Sequence, residues 1–128
     1  RRTLRKRLKK QTSFTAGHPI EHFVCTGGSA QRIAKIARLI EGKPNAEIHG
    51  YPLSTKCLDD VINLVISARS SEGRMAVQGM DPERADQLLG GALIYRELSH
   101  IMGLEKWTVS MSAIRTGLIL ELDRETNY

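Results

Sequence analysis

Aromatic residues are scarce in this 128-residue chain: two Phe, one Trp and three Tyr, 5% of the total. With hydrophobic residues at an ordinary 41%, aliphatic side chains have to build the interior. Cysteine is scarcer still. Cys25 and Cys57 are the only two, which excludes a disulfide framework and makes a reducing, cytoplasmic compartment the expectation. No run of about 18 apolar residues occurs, so no transmembrane helix and no membrane partner are expected. The basic N-terminus lacks the apolar stretch of a signal peptide. His18, His22 and Cys25 give H-x3-H-x2-C without a fourth ligand, so no metal site is expected in this chain. There is no G-x-S-x-G elbow, no Walker phosphate loop and no G-x-G-x-x-G fingerprint. Asp59 and Asp60 are adjacent, and neighbours on a helix point in different directions, so they read as solvated surface. His49 and His100 read as ordinary surface or boundary histidines. No side chain stands out as a general base or nucleophile.

Acidic residues are missing from one region altogether. Residues 1–10, RRTLRKRLKK, hold seven of the nineteen basic residues and no carboxylate. The formal net charge of +5 therefore belongs to that segment, and the other 118 residues sum to −2. Leu4 and Leu8 stand at i and i+4 within it, the thin apolar stripe of a helix. The segment can be read as a polyanion-binding arm or as the solvated end of a helix. Charge runs are usually solvated faces, which favours the second. Nucleic acid is not expected as a partner, because the body lacks a basic footprint. The chain opens on Arg1 rather than Met, so it is expected to be a piece of a longer protein.

At this length the chain forms at most one compact domain. Residues 11–21 read as a loop punctuated by Gly17 and Pro19. Residues 22–26 predict a short buried strand. Residues 29–40 predict a helix, with Ile33, Ala34, Ile36, Ala37 and Ile40 on its apolar face and Arg32, Lys35 and Arg38 opposite. Residues 43–53 read as a loop. Ser54 caps a predicted helix to about Ala68, with Leu58, Val61, Ile62 and Val65 as its stripe. Asp81-Pro82-Glu83 starts another, which runs to about Met102 and stops at Gly103. Gly90 and Gly91 lie inside it at about 1 kcal/mol each relative to Ala, which calls for a close approach of backbone or ligand. Trp107, Val109 and Met111 alternate with polar residues as in a strand. A last helix is predicted over residues 114–123, with Ile114, Leu118 and Leu122 at spacing four. The sum is an α-rich α/β arrangement with two strands, too few for a self-standing sheet.

Residues 23–29, FVCTGGS, are the most informative stretch. A strand runs through a double glycine straight into a helix. In that geometry backbone N–H groups at a helix N-terminus face an anion, and glycine lets the backbone approach without a Cβ in the way. A tight turn needs glycine for steric reasons too, so the stretch gains weight from its company.

Four segments, in order, resemble the Ppx/GppA phosphatase family of exopolyphosphatases and guanosine pentaphosphate phosphohydrolases. Val24-Cys25-Thr26-Gly27-Gly28-Ser29, with Ala34-Lys35-Ile36 behind it, resembles V-G-T-G-G-T and the L-A-x-[IL] helix. His49-Gly50 and Leu53 resemble H-G-x-x-L. Residues 79–86, GMDPERAD, followed by Gly90-Gly91-Ala92, resemble G-[LM]-x-P-x-R-A-[DE] and its later G-A pair. Val109-Ser110 and residues 114–118, IRTGL, resemble V-S-x-x-G-[LI]-R-E-G-[LV]. Together they span residues 23–120. Cys25 and Ala113 stand where the family usually has Gly, and Thr116 where it has Glu; the last removes a carboxylate partner for Arg115.

The resemblance implies an actin-like, ribonuclease-H-like α/β fold of two lobes. Residues 17–128 would be part of the second lobe, and residues 1–16 a basic helix and linker. It implies a parent enzyme that releases the terminal phosphate of inorganic polyphosphate or guanosine pentaphosphate, with Mg2+ as cofactor. The catalytic glutamate and the D-x-G-G-G-S loop would lie upstream, so this chain alone is expected to be inactive. Thr26, Gly27, Gly28 and Ser29 would line the cleft. Arg32, Arg84 and Arg115 are candidates for phosphate contact, since a guanidinium matches phosphate oxygens in a fork; each could equally serve a surface salt bridge. Gly90 and Gly91 would let helices cross closely at the interlobe hinge. The implied partners are polyphosphate or a guanosine penta- or tetraphosphate, the N-terminal lobe, and a second copy in a homodimer. The alternatives are a non-catalytic alarmone-binding module and a polyanion-binding protein that acts through residues 1–10.

Overall fold

The computed structural model describes residues 2–15, 17–18, 20–68 and 85–126. Helix α1 (Arg2–Gln11) and a 3-10 turn (Ser13–Thr15) lead to strand β1 (Val24–Thr26) and helix α2 (Gly28–Ile40). Strand β2 (Pro52–Ser54) runs into helix α3 (Thr55–Ser67), and helix α4 (Ala85–Met102), strand β3 (Lys106–Ser110) and helix α5 (Ile114–Thr126) complete the order. The sheet order is β1-β3-β2. β1 lies parallel to β3, with Cys25 opposite Val109 and Thr26 opposite Ser110; β2 is antiparallel to β3, with Leu53 opposite Trp107.

Helices α2, α3 and α4 pack on one another and bury an aliphatic core, as the shortage of aromatics requires. Ile33, Ala34 and Ala37 of α2 meet Leu58, Val61 and Ile62 of α3, and Leu53 and Val109 close the sheet side. Each Leu or Ile so buried contributes about 1.5–3 kcal/mol over leaving it exposed. Trp107 and Tyr51 are the buried aromatics of that core, and Trp107 is flanked edge-on by Phe23 at 5.8 Å and Tyr95 at 5.2 Å. Its indole N–H donates to Ser99 Oγ at 2.8 Å, so the ring's polar edge is satisfied. Ser54 caps α3 by accepting from the Cys57 N–H at 3.1 Å. α4 stops at Gly103, whose φ of 66° is the left-handed conformation that ends helices. Arg96 of α4 reaches Asp59 of α3 at 3.4 Å, tying those helices electrostatically, and also lies 3.7 Å from Glu97 of its own helix.

Three expectations need amendment. The described sheet has three strands, not two; β2 was read as loop because it is three residues long and opens on Pro52. β1 is an edge strand rather than a buried one: Cys25 is buried but Val24 is 56% exposed, since only β3 pairs with it. α5 forms where expected and runs further, yet it buries no residue, and its Ile114 is 82% exposed. α1 lies against α4 with Leu4 and Leu8 half-buried. The helix start at Asp81-Pro82 lies outside the described residues. No described helix is long and apolar enough to cross a membrane.

Candidate functional site

β1 and β3 run parallel, so their C-terminal ends open at one edge of the sheet. Ligands of open α/β sheets bind outside such ends. Thr26 and Ser110 are register partners there. Gly27 turns the chain from β1 into α2 with φ 92° and ψ 173°, a conformation that only glycine adopts readily. Gly27 is also the N-cap of α2, and no side chain caps the helix. The Gln31 N–H reaches the Gly27 carbonyl at 3.1 Å, which closes the first turn. The three N–H groups before it, those of Gly28, Ser29 and Ala30, have no acceptor within the helix. No acidic residue stands in that turn to offset the positive end of the helix dipole. The turn is therefore a cluster of convergent donors suited to an anion.

The two glycines differ in cause. Gly27 is required by its own backbone. Gly28 has no positive φ, and a Cβ built on it would meet nothing within 4 Å. Neither local geometry nor packing against described residues calls for glycine at position 28. Ser29 is turned the other way. A Cβ on Gly91 of α4 would lie 3.1 Å from Ser29 Cβ and 3.4 Å from its Oγ, so the half-buried Ser29 side chain packs on α4. Gly91 thus meets α2 within this unit, and Gly90 faces open space.

Arg32 stands four residues after Gly28, hence on the same helical face. It is half-buried and makes no hydrogen bond or ion pair with the described residues. Arg115 is exposed on α5. Arg84 lies outside the described residues. Near the same sheet end the Met111 N–H donates to His49 Nδ1 at 3.2 Å. Ser110 Oγ accepts from the Ser112 N–H at 3.1 Å and donates to the Ser112 carbonyl at 3.2 Å. The chain's exit from β3 is held beside the glycine turn by these bonds. Sequence reading gave neither His49 nor Ser110 a part in the site, although both stand in the segments that carried the resemblance.

Cys25, where the family usually has glycine, points into the core, and burial pushes its thiol up to about 11. It packs among the buried residues of the core. Cys57 is likewise buried, its thiol pushed up to about 12 by burial and by the neighbouring Glu41 carboxylate. Among the described residues no three His, Cys, Asp or Glu side chains lie close enough to share a metal ion. The turn's donor set of N–H groups fits phosphate oxygens. It does not fit Mg2+, which takes oxygen ligands such as carboxylates, so no step here is routed through that ion.

No curated protein matches the chain. Among solved structures, the Ppx/GppA family member of Aquifex aeolicus matches with a TM-score of 0.76 and 21% identity, over 99% of this chain and 41% of that one. The type II crystal structure of the Aquifex aeolicus Ppx/GppA phosphatase gives 0.77 and 21%, over 94% and 38%. The chain thus spans about two-fifths of the length of these relatives. The likeness establishes the fold, which is actin-like and here helix-rich with a small three-stranded sheet. The family model for Ppx/GppA phosphatases covers residues 1–125, and on that match the chain belongs to the Ppx/GppA phosphatase family.

Proposed function

We propose that this chain is the phosphate-holding part of a phosphoanhydride hydrolase that releases terminal phosphate from inorganic polyphosphate or guanosine pentaphosphate. One observation carries the reading. Gly28 leaves open space at the donor end of α2, where neither the backbone nor packing against described residues requires it. The N–H groups of Gly28, Ser29 and Ala30 would take the phosphate oxygens, and Arg32, on the Gly28 face, would add a charge-assisted bond. Thr26 and Ser110 would border the cleft. Preorganised donors of this kind stabilise charge that develops during phosphoryl transfer. Activation of the attacking water falls to a residue in the part of the longer relatives that this chain does not span. Residues 1–128 alone are then a binding unit.

The test is Gly28→Val in this chain, read by calorimetric titration with guanosine tetraphosphate and by thermal unfolding. Affinity should fall at least about tenfold, equivalent to roughly 1.4 kcal/mol, with a cooperative melting transition little changed. Unaltered affinity, or loss of the fold, removes the support for a ligand turn. Phosphate release by residues 1–128 at rates usual for enzymes, about 1 per second or more, would contradict the assignment of the activating base elsewhere.

A further inference from the structure

Among the described residues helix α1 is the most highly charged surface, and the turn described above makes no use of it. Arg2, Arg5, Lys6, Arg7, Lys9 and Lys10 are all exposed. None forms an ion pair with a described residue, and the first carboxylate in the chain is Glu21. Arg2 and Lys6, Arg5 and Lys9, and Lys6 and Lys10 are like charges at i, i+4, a spacing that destabilises a helix. The helix nevertheless lies against α4, with Leu4 and Leu8 half-buried. The fold therefore maintains a self-repelling row of cations that an external polyanion would neutralise.

We infer that α1 is a docking rail for inorganic polyphosphate, so that long polyphosphate rather than guanosine pentaphosphate is the preferred ligand. The choice of polyphosphate rests on the function proposed above; the rail itself rests on the charge pattern. A membrane surface fits less well, because α1 has only two apolar residues, Leu4 and Leu8, both half-buried, too few to make an apolar face for a bilayer. Nucleic acid fits less well too. α1 carries no aromatic side chain on which a base could stack, and the rest of the chain sums to −2. Polyphosphate offers nothing but phosphate oxygens, and α1 offers nothing but cations to meet them. Ten residues of helix span about 15 Å, room for several consecutive phosphates, whereas the phosphates of a nucleotide can be held by the turn alone. Helix α4 connects the two places. Its end shares a cavity of about 360 Å³ with the segment after α1, through Met102 and Thr15, and its Gly91 meets Ser29 at the turn.

The experiment titrates the 128-residue chain with long-chain inorganic polyphosphate and, separately, with guanosine tetraphosphate over a range of salt. The variant combines Arg5→Gln, Lys6→Gln, Lys9→Gln and Lys10→Gln, since Gln is a good helix former. Its polyphosphate affinity should fall at least tenfold, a loss of about 1.4 kcal/mol. The slope of log K against log salt should flatten by about 3, at roughly 0.7 per lost contact. Guanosine tetraphosphate affinity should stay the same. The charge-preserving set Arg5→Lys, Lys6→Arg, Lys9→Arg and Lys10→Arg should bind as the parent does, which separates charge from folding. Unchanged affinity and slope in the Gln variant overturn the inference, as does tighter binding of duplex DNA or phosphatidylserine vesicles than of polyphosphate at equal salt. If Gly28→Val spares both ligands while the Gln variant loses polyphosphate, the rail stands and the proposed function of the turn fails. If Gly28→Val weakens guanosine tetraphosphate while the Gln variant loses nothing, the function stands and the rail fails.

Discussion

Helices α2 and α5 have the same length, thirteen residues, and each follows a strand of the same sheet, yet they have opposite fates. α2 buries Ala30, Ile33, Ala34, Ile36 and Ala37 almost completely. α5 buries nothing, although it is rich in Leu and Ile. The difference lies in arrangement. The apolar residues of α2 recur at spacings of three and four and form one face, so a single packing surface serves them all. In α5, Leu118, Ile119 and Leu120 are consecutive and therefore point in three directions. No single surface can cover them, and a thirteen-residue helix is marginal in water by itself. α2 is held by this chain, whereas α5 is made for company on more than one side.

The largest expected effect follows directly. Ile33→Ala opens a cavity in a site with no exposure and should lower stability by about 2–5 kcal/mol in urea unfolding. Leu118→Ala, the same kind of truncation on α5, should change stability by less than about 0.5 kcal/mol. A loss above that on α5 would show that the helix is packed in solution and would break the comparison.

We propose that, in the isolated chain, a second copy supplies such packing. Exposed Ile114, Leu118, Ile119, Leu120 and Leu122 together make a surface that seeks a partner, and the open edge of β1 adds to it. The chain is expected to sediment with concentration-dependent mass. Leu118→Glu combined with Leu122→Glu should weaken that association at least about tenfold, roughly 1.4 kcal/mol. A monomer at every concentration would remove the self-association and leave α5 simply exposed.

What could be read from the sequence follows the same division. α2 and α3 were legible because each carries a one-sided stripe, and Ser54 is a real N-cap. The glycine turn was legible as strand, double glycine, helix. The exposure of α5 was not, because spacing four from Ile114 to Leu118 to Leu122 looks amphipathic until Ile119 and Leu120 are counted. β2 was hidden because three residues cannot show an alternation. His49 gave no local sign of its bond to Met111, which depends on two loops meeting across 62 positions. Arg32 and Arg115 looked alike as candidates. Only the fold shows that one shares a face with Gly28 and the other stands on an exposed helix.

The paired glycines of α4 give a sharper test of how α2 is held. Gly90 faces open space, so Gly90→Ala should stabilise the helix by about 1 kcal/mol. Gly91→Ala places a Cβ 3.1 Å from Ser29 Cβ, at the first turn of α2. The same propensity gain of about 1 kcal/mol is then opposed by overpacking, typically about 1–3 kcal/mol. The first variant should melt higher than the parent and the second no higher. Equal gains would mean that α2 yields at its N-terminus, and guanosine tetraphosphate affinity would report whether the turn yields with it.

The smallest effect concerns the other end of α2. Glu41 is its C-terminal cap, and Tyr51 Oη donates to Glu41 Oε2 at 2.7 Å, with Lys43 Nζ at 3.2 Å. At the end of α5 the side-chain bonds of Thr126 to described residues run to Leu122 and Asp123 of the same helix. The Tyr51 hydroxyl, and after it Lys43, hold the Glu41 carboxyl below its ordinary value of 4.5. A depressed carboxyl stabilises the folded state above the unfolded value and loses that contribution as pH falls through the folded one. Tyr51→Phe keeps the buried ring and removes the donor. Because the Glu41 side chain is still partly in solvent, the loss near neutral pH should lie at the low end for such bonds, about 0.5–1 kcal/mol. The gap between parent and variant should narrow as pH drops below 4.5, once the carboxylate is neutral in both. Urea midpoints at pH 7 and at several values below 4.5 would show it. A gap that is constant across that range would mean that Tyr51 acts through its packing against the core, and that the C-terminus of α2 is held by apolar contact alone.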